Sequence, residues 1–171
     1  MKWRNHRLVT GTAVFLLTGH LLPAIIAVKG SVIPDAVEGN AYDTAEWKKN
    51  HRRLSHWWVL YLILLLPAAI LLSDSLYFYH NLPWLSLTLY DIPDLLLPSF
   101  TFILFWLGIG SLFHIAEDSL CGKVPFLSPN HRVGIRCFYV GTDKEYKIAG
   151  YLAISFLLCR LFLPVPFFQG L

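Results

Sequence analysis

His114 and Asp118 stand four residues apart in Gly110-Ser111-Leu112-Phe113-His114-Ile115-Ala116-Glu117-Asp118, a stretch that reads as helix throughout. On a helix such a pair projects from one face, with Ser111 on that face and Glu117 close to it. Imidazole and carboxylate at this spacing suit two ligands of one divalent ion. The same pair also serves as a His–Asp hydrogen bond that locks a helix end. A second group lies in His51-Arg52-Arg53-Leu54-Ser55-His56. Residues five apart on a helix are about 140° out of phase. His51 and His56 therefore converge only if His51 precedes a helix that His56 opens, with Asn50 or Ser55 as its N-cap. Arg52 and Arg53 read as interface anchors, and both suit an anionic headgroup. A third candidate is Asp35 after Pro34, a dipeptide that alone means only a turn.

What joins these residues is the set of elements that must carry them. Hydrophobic residues make up 56% of the chain, charged residues 15%, and the mean hydropathy is +0.53. A soluble domain is nearer 45–50% apolar and ~25% charged. The expected fold is an all-α integral membrane protein, a single membrane domain over residues 1–171. Its apolar segments fall at about 8–28, 57–79, 95–116 and 148–168, and a span needs ~20 such residues. The first segment is soft, interrupted by Thr10, Gly11, Thr12, Thr18, Gly19, His20 and Pro23. Three to four transmembrane helices follow, depending on whether that segment crosses.

Positive charge orients the chain. No Lys or Arg occurs between Arg53 and Lys123, while Lys29, Lys48, Lys49, Arg52 and Arg53 precede that gap and Lys123, Arg132, Arg136, Lys144 and Lys147 follow it. Basic loops stay cytoplasmic, so the second and third helices form a hairpin whose tip faces out. If the first segment crossed, Lys2, Arg4 and Arg7 would lie outside, against the same rule. A re-entrant first segment keeps them inside, provided protein covers its broken backbone. Asp35, His51, His56, His114 and Asp118 then meet at the cytoplasmic boundary, joined by His6, as a site for zinc or manganese. His20 and His80 have no such company and read as structural.

Other classes fall away. A net charge of +3, scattered and without an arginine-rich run, gives no basis for nucleic-acid binding. Cys121, Cys137 and Cys159 are odd in number and lack CxxC spacing, so they read as reduced thiols.

The ordered pieces resemble the YdjM-type inner-membrane proteins, a family described as membrane-bound metal-dependent hydrolases. The matching residues are Asn5-His6, Ile33-Pro34-Asp35, His51–His56, Gly110–His114–Asp118 and Gly122-Lys123-Val124-Pro125-Phe126-Leu127-Ser128-Pro129. More distantly, the set is similar to the zinc-dependent phospholipase C and nuclease group. The family's second Asp is Val37 here, with Glu38 one position late, its Gly after His-Arg is Arg53, and its Thr before the second His is Ser55. The resemblance implies a multi-pass protein of the bacterial inner membrane with a divalent metal, zinc first and manganese second. It implies hydrolysis of an ester or phosphoester, and the lipid boundary points to a phospholipid. Asp35, His56, His114 and Asp118 would be ligands, with His6 and His51 as further ligands or orienting groups. Glu117 or Glu38 would be the general base, and Arg52, Arg53, Arg132 and His131 would hold a phosphate. Membrane lipids are the expected partners. The alternative is a non-catalytic subunit of a larger membrane assembly or oligomer, with a structural metal.

Overall fold

The first apolar segment is two helices rather than one. The structure, a computed structural model, describes residues 1–39, 52–80 and 92–162. In it α1 (Trp3–Thr18) stops at Gly19 and α2 (Leu21–Gly30) begins two residues later. Gly19 has φ +72 and its N–H donates to the Phe15 carbonyl at 2.8 Å, a left-handed helix end that glycine adopts without strain. α2 then doubles back along α1. A Cβ on Gly11 would come within 2.8 Å of Val28 Cγ2, so the two helices touch at that level. His6 and the residues after Gly30 are thereby brought to the same end of the pair, and the short helix α3 (Ile33–Val37) carries Asp35 there.

Two longer helices follow, α4 (Trp58–His80) and α5 (Ile92–Ser119), and after them α6 (Asp143–Phe162). Pro67 and Pro98 lie inside α4 and α5. Among the described residues one helix, over Leu96–Ser119, is long and apolar enough to cross a membrane, and Trp58–Leu71 is a shorter apolar helix.

The fold is mostly helical, as expected, and adds one short hairpin that the sequence reading did not include. Between α5 and α6 the strand β1 (Val124–Ser128) pairs antiparallel with β2 (His131–Val133). Pro129-Asn130 turns the chain between two short runs that each carry Val, a hairpin signal overshadowed by the apolar helices around it.

Polar side chains share the interior with apolar ones such as Val14, Ala27 and Trp106. Asn5, His6, Thr10, Ser31, His56, Ser111, His114, Glu117, Asp118 and Glu145 are buried, whereas Leu64, Ile70, Leu96, Phe100, Ile154 and Leu161 are exposed. Polar groups turned inward and apolar side chains turned outward fit a hydrocarbon surrounding. α2 and α5 meet without intervening side chains. A Cβ on Gly30 would stand 2.2 Å from the Leu107 carbonyl, and one on Gly110 2.0 Å from the Ala27 carbonyl. This backbone contact, of the small-residue kind that lets membrane helices approach closely, sets the end of α2 against His114.

Candidate metal centre

Four elements deliver the polar cluster. His6 comes from α1, Asp35 from α3, His56 from the turn before α4, and His114, Glu117 and Asp118 from the last turns of α5. Asp35, His56, His114 and Asp118 each present one ligand atom, all within 4.8 Å of one another, and together could hold a metal ion.

The three imidazoles are oriented alike. His114 Nδ1 donates to the Ser31 carbonyl at 2.6 Å, which leaves Nε2 as the lone-pair nitrogen. His56 Nδ1 lies 3.2 Å from Glu38 Oε1 and 2.9 Å from Ser55 Oγ. His6 Nδ1 lies 2.6 Å from Glu117 Oε2, and the other oxygen of Glu117 accepts from Thr10 Oγ1 at 3.0 Å. Each ring thus spends Nδ1 on an outer partner and turns Nε2 inward, the arrangement that fixes tautomer and direction in metal-binding histidines.

At the centre, His56 Nε2 and His114 Nε2 are 3.2 Å apart. His56 Nε2 is 3.3 Å from Asp35 Oδ1 and 3.5 Å from Asp118 Oδ2, and His114 Nε2 is 3.6 and 3.7 Å from the same two oxygens. His6 stacks on His114 with centroids 3.9 Å apart and points Nε2 at Asp118 Oδ1, 3.3 Å away. Asp35 keeps its place through Trp3, whose indole N–H donates to Oδ2 at 2.8 Å. The Arg52 Nε reaches Asp118 Oδ2 at 2.8 Å, and the Met1 amino group lies on Oδ1.

Charge follows from this packing. Burial works against a proton on His56, but Asp118, Asp35 and Glu38 outweigh it and hold its pKa up at about 10. Burial also favours a neutral Asp35, yet His114 and His56 hold its carboxyl well below the usual carboxylate range. Access is one-sided: the Asp35 side chain is 17% exposed, against 0–1% for the other three.

The sequence-derived candidates separate accordingly. Asp35, His56, His114 and Asp118 come together, and His6 joins them. Arg52 reaches the cluster through Asp118, with its own backbone at φ +58. Arg53 forms no ion pair with the cluster among the described residues, and Arg132 sits in β2 opposite Pro125. His51 lies outside the described residues. Glu117 and Glu38, the candidate bases, each lie behind a histidine rather than in the centre, while Val37 is 71% exposed. Trp3, Thr10 and the Ser31 carbonyl were not singled out from sequence. Thr10 had a signal, since it follows His6 by one helical turn and so shares its face.

Comparisons with protein-family models, with curated proteins and with solved structures give no match.

Proposed function

We propose that this chain is a multi-pass protein of the bacterial inner membrane that hydrolyses an ester or phosphoester at a metal centre on the cytoplasmic boundary. A phospholipid is the substrate class that fits a site at this depth. The carrying observation is the convergence of the His56 and His114 Nε2 atoms on Asp35 and Asp118, with every Nδ1 committed elsewhere. The resemblance of its ordered motifs to those of the YdjM-type proteins is in keeping with that reading.

Zinc is the preferred ion. Ligands at 2.0–2.1 Å around a tetrahedron stand about 3.3–3.4 Å from each other, whereas octahedral ligands at that distance stand at about 2.9 Å. The separations of each histidine Nε2 from the other and from the two carboxylates, 3.2–3.7 Å, lie near the tetrahedral value. When bound, a divalent ion supplies acidification of a water molecule and a positive charge for the developing oxyanion. The protein's own residues do the rest. Glu117 and Glu38 fix His6 and His56, and Asp35 lines the open side of the centre. Arg52 supplies a fixed positive charge for a phosphate.

One observation favours a second reading. Four protein ligands, three of them buried, complete a tetrahedron, as structural zinc sites do, while catalytic sites keep a position open. The protein would then be an assembly subunit with a structural metal. Elemental analysis of detergent-purified protein, beside release of products from several lipid classes, separates the two. Loss of both metal and product release in Asp118→Ala supports hydrolysis. Bound metal without product from any lipid class supports the structural reading. Protein without metal, and an Asp118→Ala variant that behaves as wild type, defeats the site itself.

A further inference from the structure

The β-hairpin has an irregular ladder at its most apolar point. Val124 pairs with Val133 and Pro125 with Arg132, but the next pair is Ser128 with His131. Phe126 and Leu127 are therefore extra residues, without partners across the ladder, and they bulge outward. They are 46% and 72% exposed.

The bulge is held rather than loose. The Phe126 carbonyl, freed from the ladder, accepts the indole N–H of Trp57 at 3.1 Å and of Trp58 at 2.9 Å. The Trp58 ring lies 6.3 Å from that of Phe126. Behind them Val124 is buried with Tyr61 and Ile115, one turn inside the start of α4 and one turn before the end of α5. Paired tryptophans at the start of an apolar helix mark the lipid–water boundary, so the bulge stands at that level.

Charge names the surroundings. From Ser119 to Thr142 there is no Asp or Glu, while Lys123, His131, Arg132 and Arg136 flank the bulge. An apolar tip flanked along the chain by cations, without acids from Ser119 to Thr142, matches a leaflet of anionic lipid: side chains enter the acyl boundary and the cations meet headgroups. Just before the hairpin, Gly122 lies against Arg52, whose Nε reaches Asp118 Oδ2.

We infer that Phe126 and Leu127 form a membrane-inserted wedge, seated in the leaflet next to the metal centre and held there by anionic headgroups on Lys123, Arg132 and Arg136. The inference rests on the membrane reading above and is independent of catalysis. It is tested on the full chain in vesicles of phosphatidylethanolamine and phosphatidylglycerol, with Cys137 and Cys159 changed to Ser. Nitroxide labels go singly on Leu127→Cys, Asn130→Cys and, as the lipid control, Ile103→Cys. In power saturation, Leu127 and Ile103 should be relaxed more by oxygen than by an aqueous nickel chelate, and Asn130 the reverse. Replacing phosphatidylglycerol by phosphatidylcholine should make the Leu127 label shallower, and Lys123→Gln/Arg132→Gln/Arg136→Gln should remove that lipid dependence. A Leu127 label as open to nickel as Asn130, beside a lipid-facing Ile103, overturns the wedge alone. A water-facing Ile103 overturns the membrane reading with it. Spin–spin broadening at Leu127 that grows with protein-to-lipid ratio would show a second protein copy there and overturn the lipid assignment. A Leu127 depth indifferent to headgroup charge overturns the role of the three cations.

Discussion

His56 Nε2 and His114 Nε2 face each other across 3.2 Å in a fully buried setting. Two imidazole lone pairs at that separation repel unless a cation lies between them, and a proton or a metal ion satisfies the geometry. Because His114 gives its Nδ1 proton to the Ser31 carbonyl, it cannot relieve the contact by changing tautomer without orphaning a buried carbonyl.

That relation makes metal affinity pH-dependent. With a pKa of about 10, His56 carries a proton at neutral pH that a metal must displace. Affinity should rise about tenfold per pH unit towards pH 10, with one proton released per ion. Titration calorimetry in two buffers of different ionisation enthalpy measures that proton directly. In chelator-treated protein the same charge stabilises the fold fully below pH 6.5, and the contribution fades as pH rises through about 10.

The carboxylates behind the rings should tune affinity rather than abolish it. Glu38→Gln and Glu117→Gln each remove an orienting carboxylate from His56 or His6. A loss of about 10–100-fold in metal affinity is expected for each, against a larger loss for His56→Ala or His114→Ala. A chelator-competition titration ranks them. If Glu117→Gln leaves affinity unchanged yet stops turnover, Glu117 is the general base after all.

Gly110→Ala should damage the site from a distance. Its Cβ would stand 2.0 Å from the Ala27 carbonyl and 2.9 Å from the Ser31 nitrogen, so α2 must move off α5 and take the Ser31 carbonyl away from His114. Overpacking of this kind costs about 1–3 kcal/mol, and bound metal per chain should fall with it. Ser111→Ala, which loses a hydroxyl shared between the Gly30 and Leu107 carbonyls and no bulk between the helices, should retain the metal.

Glu145 should govern whether His6 reaches the centre. It is buried in the first turn of α6 and accepts the Lys2 N–H at 2.6 Å and the Asn5 side-chain amide at 2.7 Å. Glu145→Ala leaves both donors without this partner, at about 1–3 kcal/mol for each that stays buried. Unfolding in detergent should shift accordingly, and metal affinity should drop because His6 follows Asn5.

The doubled-back first segment predicts one side for both ends of the α1–α2 pair. A reporter fused ahead of Met1 and a label at Cys137 should report the same, cytoplasmic, face. Opposite faces would make the first segment a full crossing.

The linear order of residues was enough for the apolar helices and for the metal-binding group. Apolar runs of near-membrane length and an i,i+4 His–Asp pair are local features, legible without any neighbour. The break in 8–28 was foreshadowed by its glycines and Pro23. What only the tertiary structure decided is which nitrogen of each ring faces the centre and what each carboxylate does. Glu38 looked misplaced by one residue beside Val37, but α3 ends there and Glu38 reaches the far side of His56. Glu117 looked free to act as a base, yet helical phase turns it towards His6 and Thr10 of α1. The hairpin, too, needed its packing against α4 and α5, since two short strands hold together only against a larger surface. Such roles depend on where neighbouring elements stand to within about an ångström, and backbone contacts such as Gly110 on Ala27 set that distance.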